Sequence, residues 1–266
     1  MNDISFVIVW PALAAGLLVL LSHVPLGREV LKRGIIFIDL AVAQAAATGA
    51  LAASQWWHLS SGFGMELAAG VTALLVATFL HELEKRCPQV QEPLIGCTFV
   101  VLASLGMVLV ATDPHGGEHY TSLLQGEILW SDAHTLWGLG AAALVALACR
   151  ALFHRHPLFG FYLPFAIAIT ASVQAVGVYL VFASLILPSI ALMRVPGWRG
   201  LLLGWLTGAA GYTAGILASL CWDFPTGPAI VIGLAMTAAL AALLRGIWLR
   251  SGYNGGFDAI VPQESS

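Results

Sequence analysis

Metal-ligating side chains concentrate in one stretch of the sequence, residues 113–134. This cluster consists of Asp113, His115, Glu118, His119 and His134. Imidazole and carboxylate groups are the ligand types that suit zinc and also accept manganese or iron. Pro114 and the Gly116-Gly117 pair argue against a regular helix that would align His115 with His119. The stretch therefore predicts a metal-handling loop, with a solvated polar loop as the alternative.

Four further polar side chains lie inside or at the ends of apolar segments: Asp39, Gln44, Thr48 and Glu66. Intramembrane ionisable groups usually mark a transport path, because each costs about 2.5–3.5 kcal/mol at a helix centre. Gln44 and Thr48 are four residues apart and share a helical face, which Asp39 does not. The set predicts a cation path. The alternatives are that Asp39 pairs with Lys32 or Arg33, that Gln44 and Thr48 join helices, and that Glu66 is solvated at an interface.

The composition shows what kind of molecule must position these groups. Of 266 residues, 59% are hydrophobic and only 9% are charged, and the mean hydropathy is +0.88. A chain of this kind has too little polar material to cover a water-soluble domain. The lipid bilayer is its expected solvent, and a nucleic-acid partner is not supported.

The eleven basic residues form five clusters separated by long stretches without Lys or Arg. Because such clusters mark cytoplasmic loops, they predict orientation as well as spans. The parse gives one all-α transmembrane domain of nine segments with an external N-terminus, near residues 5–24, 34–54, 65–82, 93–112, 134–153, 160–176, 178–193, 199–221 and 226–249. If residues 160–193 form one span and a re-entrant piece, the count is eight. No soluble domain is expected.

Motifs for enzyme chemistry are absent from the sequence. It contains no GxxxxGK[ST] phosphate loop, no HExxH zinc helix and no GxSxG elbow, so nothing indicates ATP binding or hydrolysis by this chain itself. The protein is therefore predicted not to be an enzyme.

Five stretches, in order along the chain, resemble a known family: the membrane permeases of ATP-binding-cassette importers for zinc and manganese. Residues 176–191 are similar to its VGxLLVxALLxxPAxxA pattern, 92–106 to AIGxxF…ALG, 124–129 to LFGxIL and 223–230 to DxPxGxxI. Residues 33–49 resemble its basic turn and second span. The resemblance covers nearly the whole chain.

The resemblance implies a cell-membrane (inner or plasma membrane) permease without an intrinsic cofactor. Its implied partners are a second copy of the chain, a cytoplasmic ATP-binding subunit that binds the ATP, and an extracytoplasmic metal-binding protein that delivers Zn²⁺ or Mn²⁺. The turn after Pro188, with Arg194, Pro196 and Arg199, would be the element that couples to the ATPase.

The chain departs from the family pattern at two places. The second span of the family usually carries Asp and His four residues apart, whereas the aligned positions here are Leu40 and Gln44, with Asp39 one position early. Ser184 and Ser189 replace the usual Leu and Ala. We therefore expect either a local bulge that restores the ligand pair, or a less ligating path that relies on the outer loop for capture.

The sequence thus predicts a permease for a divalent transition metal. Zinc is favoured over manganese or iron, because histidines outnumber carboxylate clusters near the outer loop. One alternative is a permease for metal chelates of the siderophore or cobalamin type, which would have a roomier path with aromatic lining. Others are a secondary transporter driven by an ion gradient, with paired midplane acids, and a membrane sensor or scaffold.

Overall fold

A computed structural model of the chain describes residues 2–57, 63–86, 88–111, 128–193 and 195–254. Within these ranges the protein is helical and contains no strand, which confirms the all-α prediction. The α-helices are α1 (Asn2–Arg33), α2 (Ile38–Trp57), α3 (Phe63–Arg86), α4 (Gln91–Ala111), α5 (Ala133–Leu152), α6 (Leu163–Val176), α7 (Val178–Ala191), α8 (Gly197–Trp222) and α9 (Thr226–Asn254). A π-helical turn, Leu158–Tyr162, leads into α6.

Seven helical segments in the described ranges are long and apolar enough to cross a membrane. The other two described α-helices, α2 and α7, are not among these seven. Helix α7 has 14 residues, which rise about 21 Å at 1.5 Å per residue, less than the hydrocarbon thickness of a bilayer. The predicted multi-pass helical bundle is confirmed, and the choice between eight and nine spans remains a prediction.

The ambiguous segment 160–193 forms two helices that meet at Gly177. This residue has φ 79° and ψ 161°, a backbone conformation that glycine adopts at little cost because it has no Cβ. The predicted break near Gly177 is therefore confirmed. Helix α1 differs from expectation, since it continues beyond the predicted span 5–24 to Arg33 with Pro11 and Pro25 inside it. Its basic cluster lies on the last helical turns and not in a loop.

Helices α1, α2, α6 and α7 supply most of the core, and the remaining helices pack around them. Helix α2 is nearly all buried from Ala41 to Ala53, and its many alanines allow neighbouring helices to approach. The surrounding helices expose large apolar side chains such as Leu75, Trp137 and Met236, which are 66%, 79% and 67% accessible. In a bilayer these side chains contact lipid or another apolar partner.

The glycines of α8 allow a close backbone contact with α9. A Cβ added at Gly211 would lie 2.7 Å from the Cα atom of Leu234, and one at Gly215 would overlap the backbone of Ile230. Both glycines are buried. The small residues at positions 211 and 215 therefore serve the close helix contact that their spacing indicates.

The two serines that depart from the family pattern join helices. Ser184 Oγ on α7 lies 2.8 Å from the hydroxyl oxygen of Tyr212 on α8. Ser189 Oγ donates to the carbonyl oxygen of Val24 on α1 at 3.3 Å. Both serines are almost fully buried, so their hydroxyls satisfy polar groups that would otherwise lie unpaired in an apolar bundle.

Candidate functional site

A cavity of about 610 Å³ lies between α2, α4, α7 and α9. We call it the central cavity; its lining is Leu40, Gln44, Phe99, Ala103, Val178, Tyr179, Phe182, Ala183, Leu187, Val231 and Ala235. Leu40 and Gln44 are the positions where the resemblance places the usual Asp and His. The cavity is therefore formed around the expected ligand positions, but its walls are mostly apolar and aromatic.

Asp39 is buried beside this region but is not among the residues that line the central cavity. It is 1% exposed, and neither carboxylate oxygen has a hydrogen-bond partner within the described part of the chain. Glu92 lies nearby and accepts the backbone N–H of Phe37 through Oε1 at 3.2 Å. Helix α2 begins at Ile38, and among the described residues it contributes Leu40 and Gln44, not Asp39, to the lining of the central cavity.

Among the described residues, no ion pair joins Asp39 to Lys32 or Arg33. Arg33 instead contacts Glu29 at 3.3 Å and Glu84 at 3.0 Å, and its guanidinium lies 4.3 Å from the ring centroid of Phe161. Arg150 contacts the other oxygen of Glu29 at 3.2 Å. These ion pairs tie the basic ends of α1, α3 and α5 together.

Thr48 belongs to a helix contact. Its hydroxyl donates to the carbonyl oxygen of Leu102 on α4 at 3.1 Å. Helix α3 makes a similar contact with α2, since the Thr72 hydroxyl donates to the carbonyl oxygen of Ala45 at 2.9 Å. Thr48 thus joins helices, whereas Gln44, one turn earlier, lines the central cavity.

Glu66 lies in a different cavity, which we call the lateral groove. This groove of about 450 Å³ runs between α3 and α5 over α6. His134, at the start of α5, lines the same groove, together with Thr135, Thr170 and Gln174. The fold thus brings together two residues that the sequence assigned to separate groups, a path and a loop.

Most of the predicted metal-binding loop lies outside the described residues. This applies to Asp113, His115, Glu118 and His119. At the end of the loop, Asp132 caps α5 by accepting the backbone N–H of Thr135 at 2.8 Å and its hydroxyl at 2.7 Å. These hydrogen bonds hold the pKa of Asp132 below its usual range and fix the start of α5 next to His134.

The predicted coupling turn connects α7 to α8. Pro188 is buried within α7, Pro196 precedes the first residue of α8, and Arg199 is exposed on its first turn, whereas Arg194 lies outside the described residues. Arg28 on α1 donates to the carbonyl oxygens of Val195 at 2.6 Å and Gly197 at 3.2 Å. Arg245 on α9 donates to the carbonyl oxygen of Ala191 at 3.3 Å.

Sequence reasoning missed several of these roles. Thr170 and Gln174 were not placed beside Glu66 and His134, because they come from a helix distant in the sequence; the available signal was that Glu66, His134 and Gln174 all lie near the outer ends of predicted spans. Arg28 and Arg245 were interpreted only as topology markers. Their side chains bind the backbone of the coupling turn.

A multi-pass helical bundle with a cavity between its spans and basic turns at one end defines an integral membrane transport subunit. The chain belongs to the ABC 3 transport family, whose model matches residues 5–164 and 158–245. It is a membrane-spanning permease subunit of an ATP-binding-cassette transporter and a multi-pass protein of the plasma membrane. The family resemblance predicted from the motifs is confirmed.

Individual relatives agree with this assignment. The chain is 24% identical over 262 residues to the manganese transport system membrane protein MntC of Halalkalibacterium halodurans, covering 90% of this chain and 87% of the relative. It is 29% identical over 203 residues to the chelated iron transport system membrane protein YfeD of Yersinia pestis, covering 68% of each. The structure of PsaBC from Streptococcus pneumoniae in complex with a Fab is similar in fold. It matches with a TM-score of 0.67 at 20% identity, over 87% of this chain and 90% of that one.

Proposed function

We propose that this chain is the permease of an importer for divalent transition-metal ions. It works as a pair of copies with a cytoplasmic ATP-binding subunit and an extracytoplasmic metal-binding protein. The family and the metal-transport names of its relatives support this proposal. The chain contributes a path and gating, and the partner subunit binds and hydrolyses ATP.

The observation that carries the proposal is the central cavity at the position of the family's ligand pair. Gln44 supplies a polar group within its apolar wall. An apolar wall binds a divalent ion weakly, because few oxygens or nitrogens replace its water. Weak binding favours passage, since an ion that is held tightly leaves slowly. The buried carboxyl group of Asp39 lies just over one turn before Gln44 on the same helix, close to this path.

Capture of the ion belongs to the outer side. The 113–134 cluster, with Asp113, His115, Glu118, His119 and His134, supplies the imidazole and carboxylate groups for the hand-over from a binding protein. This abundance of histidine favours zinc as the cargo, whereas the relatives are named for manganese and chelated iron. Zinc is therefore our first candidate and manganese the second.

On the inner side, the turn between α7 and α8 transmits the motion of the ATP-binding subunit. Arg199 is exposed there, and Arg28 fixes the turn to α1 through two carbonyl oxygens. A displacement of this turn is therefore transmitted to α7, which lines the central cavity. Alternation between outward and inward openings follows from that mechanical connection.

A specific observation favours a second candidate, a permease for a metal chelate. The central cavity has a volume of about 610 Å³, and Phe99, Tyr179 and Phe182 contribute aromatic surface to it. Organic chelators pack well on aromatic walls, whereas a bare ion gains little from them. The YfeD relative is named for the transport of chelated iron.

Uptake into vesicles distinguishes these functions. The purified chain is reconstituted with and without its ATP-binding subunit, and radioactive zinc, manganese and a ferric chelate are offered with the binding protein. We expect ATP-dependent uptake of zinc or manganese. Uptake of the ferric chelate without uptake of zinc or manganese would establish the second candidate. Uptake that does not depend on ATP would reject both candidates in favour of a gradient-driven transporter.

A further inference from the structure

The lateral groove combines acidic, imidazole, amide and hydroxyl groups at the outer half of the bundle. We infer that it is a second binding site for a divalent transition-metal ion, separate from the central cavity. Its ligands are the Glu66 carboxylate and the His134 imidazole, assisted by oxygens of Thr135, Thr170 and Gln174. The inference rests on the proposed function for the chemical class of the ion.

The groove and the central cavity are distinct spaces. Helices α3, α5 and α6 form the groove, whereas α2, α4, α7 and α9 form the central cavity, and no residue lines both. The groove reaches from Glu66 and His134 at the outer helix ends to Ala166 on α6. An ion bound there lies beside the main path and not in it.

Two glycines keep the groove open. Gly70 on α3 and Gly138 on α5 line it, and a Cβ added at either position would have no heavy atom within 4 Å. No described residue fills the space next to these two glycines. Helices α3 and α5 both pack on α6, so the groove is a fixed feature of the bundle.

Thr170 is an exception among the threonines of the helices. The hydroxyls of Thr78, Thr98 and Thr213 each donate to the carbonyl oxygen four residues earlier, at 2.8 Å. Thr170 is 8% exposed, and its hydroxyl has no hydrogen-bond partner within the described residues. A buried hydroxyl without a partner destabilises the fold, so a ligand in the groove that accepts its hydrogen bond or is coordinated by it would remove this penalty.

Glu66 is similarly available for a cation. In the described ranges it forms no ion pair or hydrogen bond, whereas Glu82, at the other end of the same helix, pairs with Lys85 at 2.9 Å. A carboxylate at the outer end of a span, next to an imidazole, attracts positive charge. The described residues that line the groove include no Lys or Arg that would neutralise Glu66.

The donor set defines the kind of ion and the strength of binding. Nowhere in the described part of the chain do three His, Cys, Asp or Glu side chains converge on one metal position. One carboxylate and one imidazole therefore leave the remaining positions to neutral oxygens and water, which suits manganese better than a tightly held structural zinc. Such a site exchanges its ion readily and can hold a captured ion transiently before it enters the main path.

Manganese binding to the full-length chain in lipid nanodiscs tests the inference. Paramagnetic resonance measures free Mn²⁺, because the sharp signal of the aqueous ion broadens when it binds. His115→Ala and His119→Ala are introduced first to remove the loop histidines from the background. In that background we expect Glu66→Gln and His134→Ala each to weaken binding by about tenfold or more, and Thr170→Val to weaken it less.

Matched controls carry the same substitutions on the cytoplasmic side. Glu82→Gln on α3 and His154→Ala after α5 should leave Mn²⁺ binding unchanged. Equal losses in the controls and the groove variants, or no loss in Glu66→Gln and His134→Ala, would overturn the inference. Retained thermal stability shows that a loss does not reflect unfolding.

Filling the groove provides an independent variant. Gly138→Leu places a side chain into open space, so we expect normal folding and loss of the same Mn²⁺ site. Gln44→Leu alters the central cavity only, so Mn²⁺ binding in the groove should persist while uptake falls. Unimpaired uptake by Gln44→Leu counts against the proposed path, whereas Mn²⁺ binding by Gly138→Leu at full strength counts against the groove.

Discussion

Asp39 is a buried carboxyl group that lowers the stability of the fold, which indicates a functional role. It is almost completely buried, and its two oxygens have no hydrogen-bond partner among the described residues. A charge in this position destabilises the bundle, because desolvation is not offset by a cation or by donors. A residue that destabilises the fold in this way is typical of a functional site.

We therefore predict opposite effects of Asp39→Asn on stability and transport. Asn cannot ionise and so avoids the cost of a buried charge; we expect a higher unfolding temperature in detergent and a free energy of unfolding about 1 kcal/mol or more above that of the original chain. Metal uptake should fall, because Asn cannot form the carboxylate that would attract a cation beside the central cavity. Vesicle uptake and thermal unfolding measure the two effects. A variant with full uptake and raised stability would remove Asp39 from the path.

At the scale of elements, close packing of α8 and α9 depends on glycine. Gly215→Ala should destabilise the protein by about 1–3 kcal/mol, because the new methyl group overlaps backbone atoms of Ile230, which cannot move aside like a flexible side chain. Gly96→Ala on α4 is the matched control, since its Cβ has no heavy atom within 4 Å. The control should be neutral or slightly stabilising. Equal unfolding temperatures for the two variants would contradict the packing argument.

The coupling turn provides a second prediction at this scale. Arg28→Gln removes the donors to Val195 and Gly197, so the turn is no longer fixed to α1. We expect the amount of metal taken up per ATP hydrolysed to fall about tenfold, which is within the usual range of coupling between two sites. The ATP-binding subunit should still bind. Lys32→Gln, one turn later on α1 and exposed, is the control. If Arg28→Gln also abolishes ATPase binding, the residue assembles the complex and does not couple it.

Some elements could be predicted from the sequence and others could not. The break at Gly177 was predictable, because a segment too long for one span contains a residue that tolerates positive φ. The length of α1 was not, since hydropathy marks the lipid thickness and not the helix end. Leu40 and Gln44 could be placed at the usual ligand positions by the family pattern, and both line the central cavity. The lateral groove could not be predicted, because Glu66, His134 and Thr170 meet only through the packing of three helices.

The whole molecule has two chemically different ends. The ion pairs of Glu29 with Arg33 and Arg150 and the arginine-bound coupling turn lie at one end. The lateral groove opens at the other, where Glu66 and His134 begin α3 and α5. Because basic residues collect on the cytoplasmic side, we expect the groove to face the outside and the turn between α7 and α8 to face the ATP-binding subunit. In the proposed mechanism, ion capture and energy input are therefore separated by the thickness of the bilayer.

This orientation can be tested with single cysteines in intact cells. Phe224→Cys lies in the exposed turn between α8 and α9, and Arg155→Cys lies in the exposed turn after α5. In a background without the native cysteines, a membrane-impermeant maleimide should label position 224 from outside, because that turn lies at the end opposite the arginine clusters. Position 155 should react only after the membrane is permeabilised. Labelling of position 155 in intact cells would show that the protein has the opposite orientation in the membrane. The coupling turn would then lie on the side without ATP, which contradicts the proposed import mechanism.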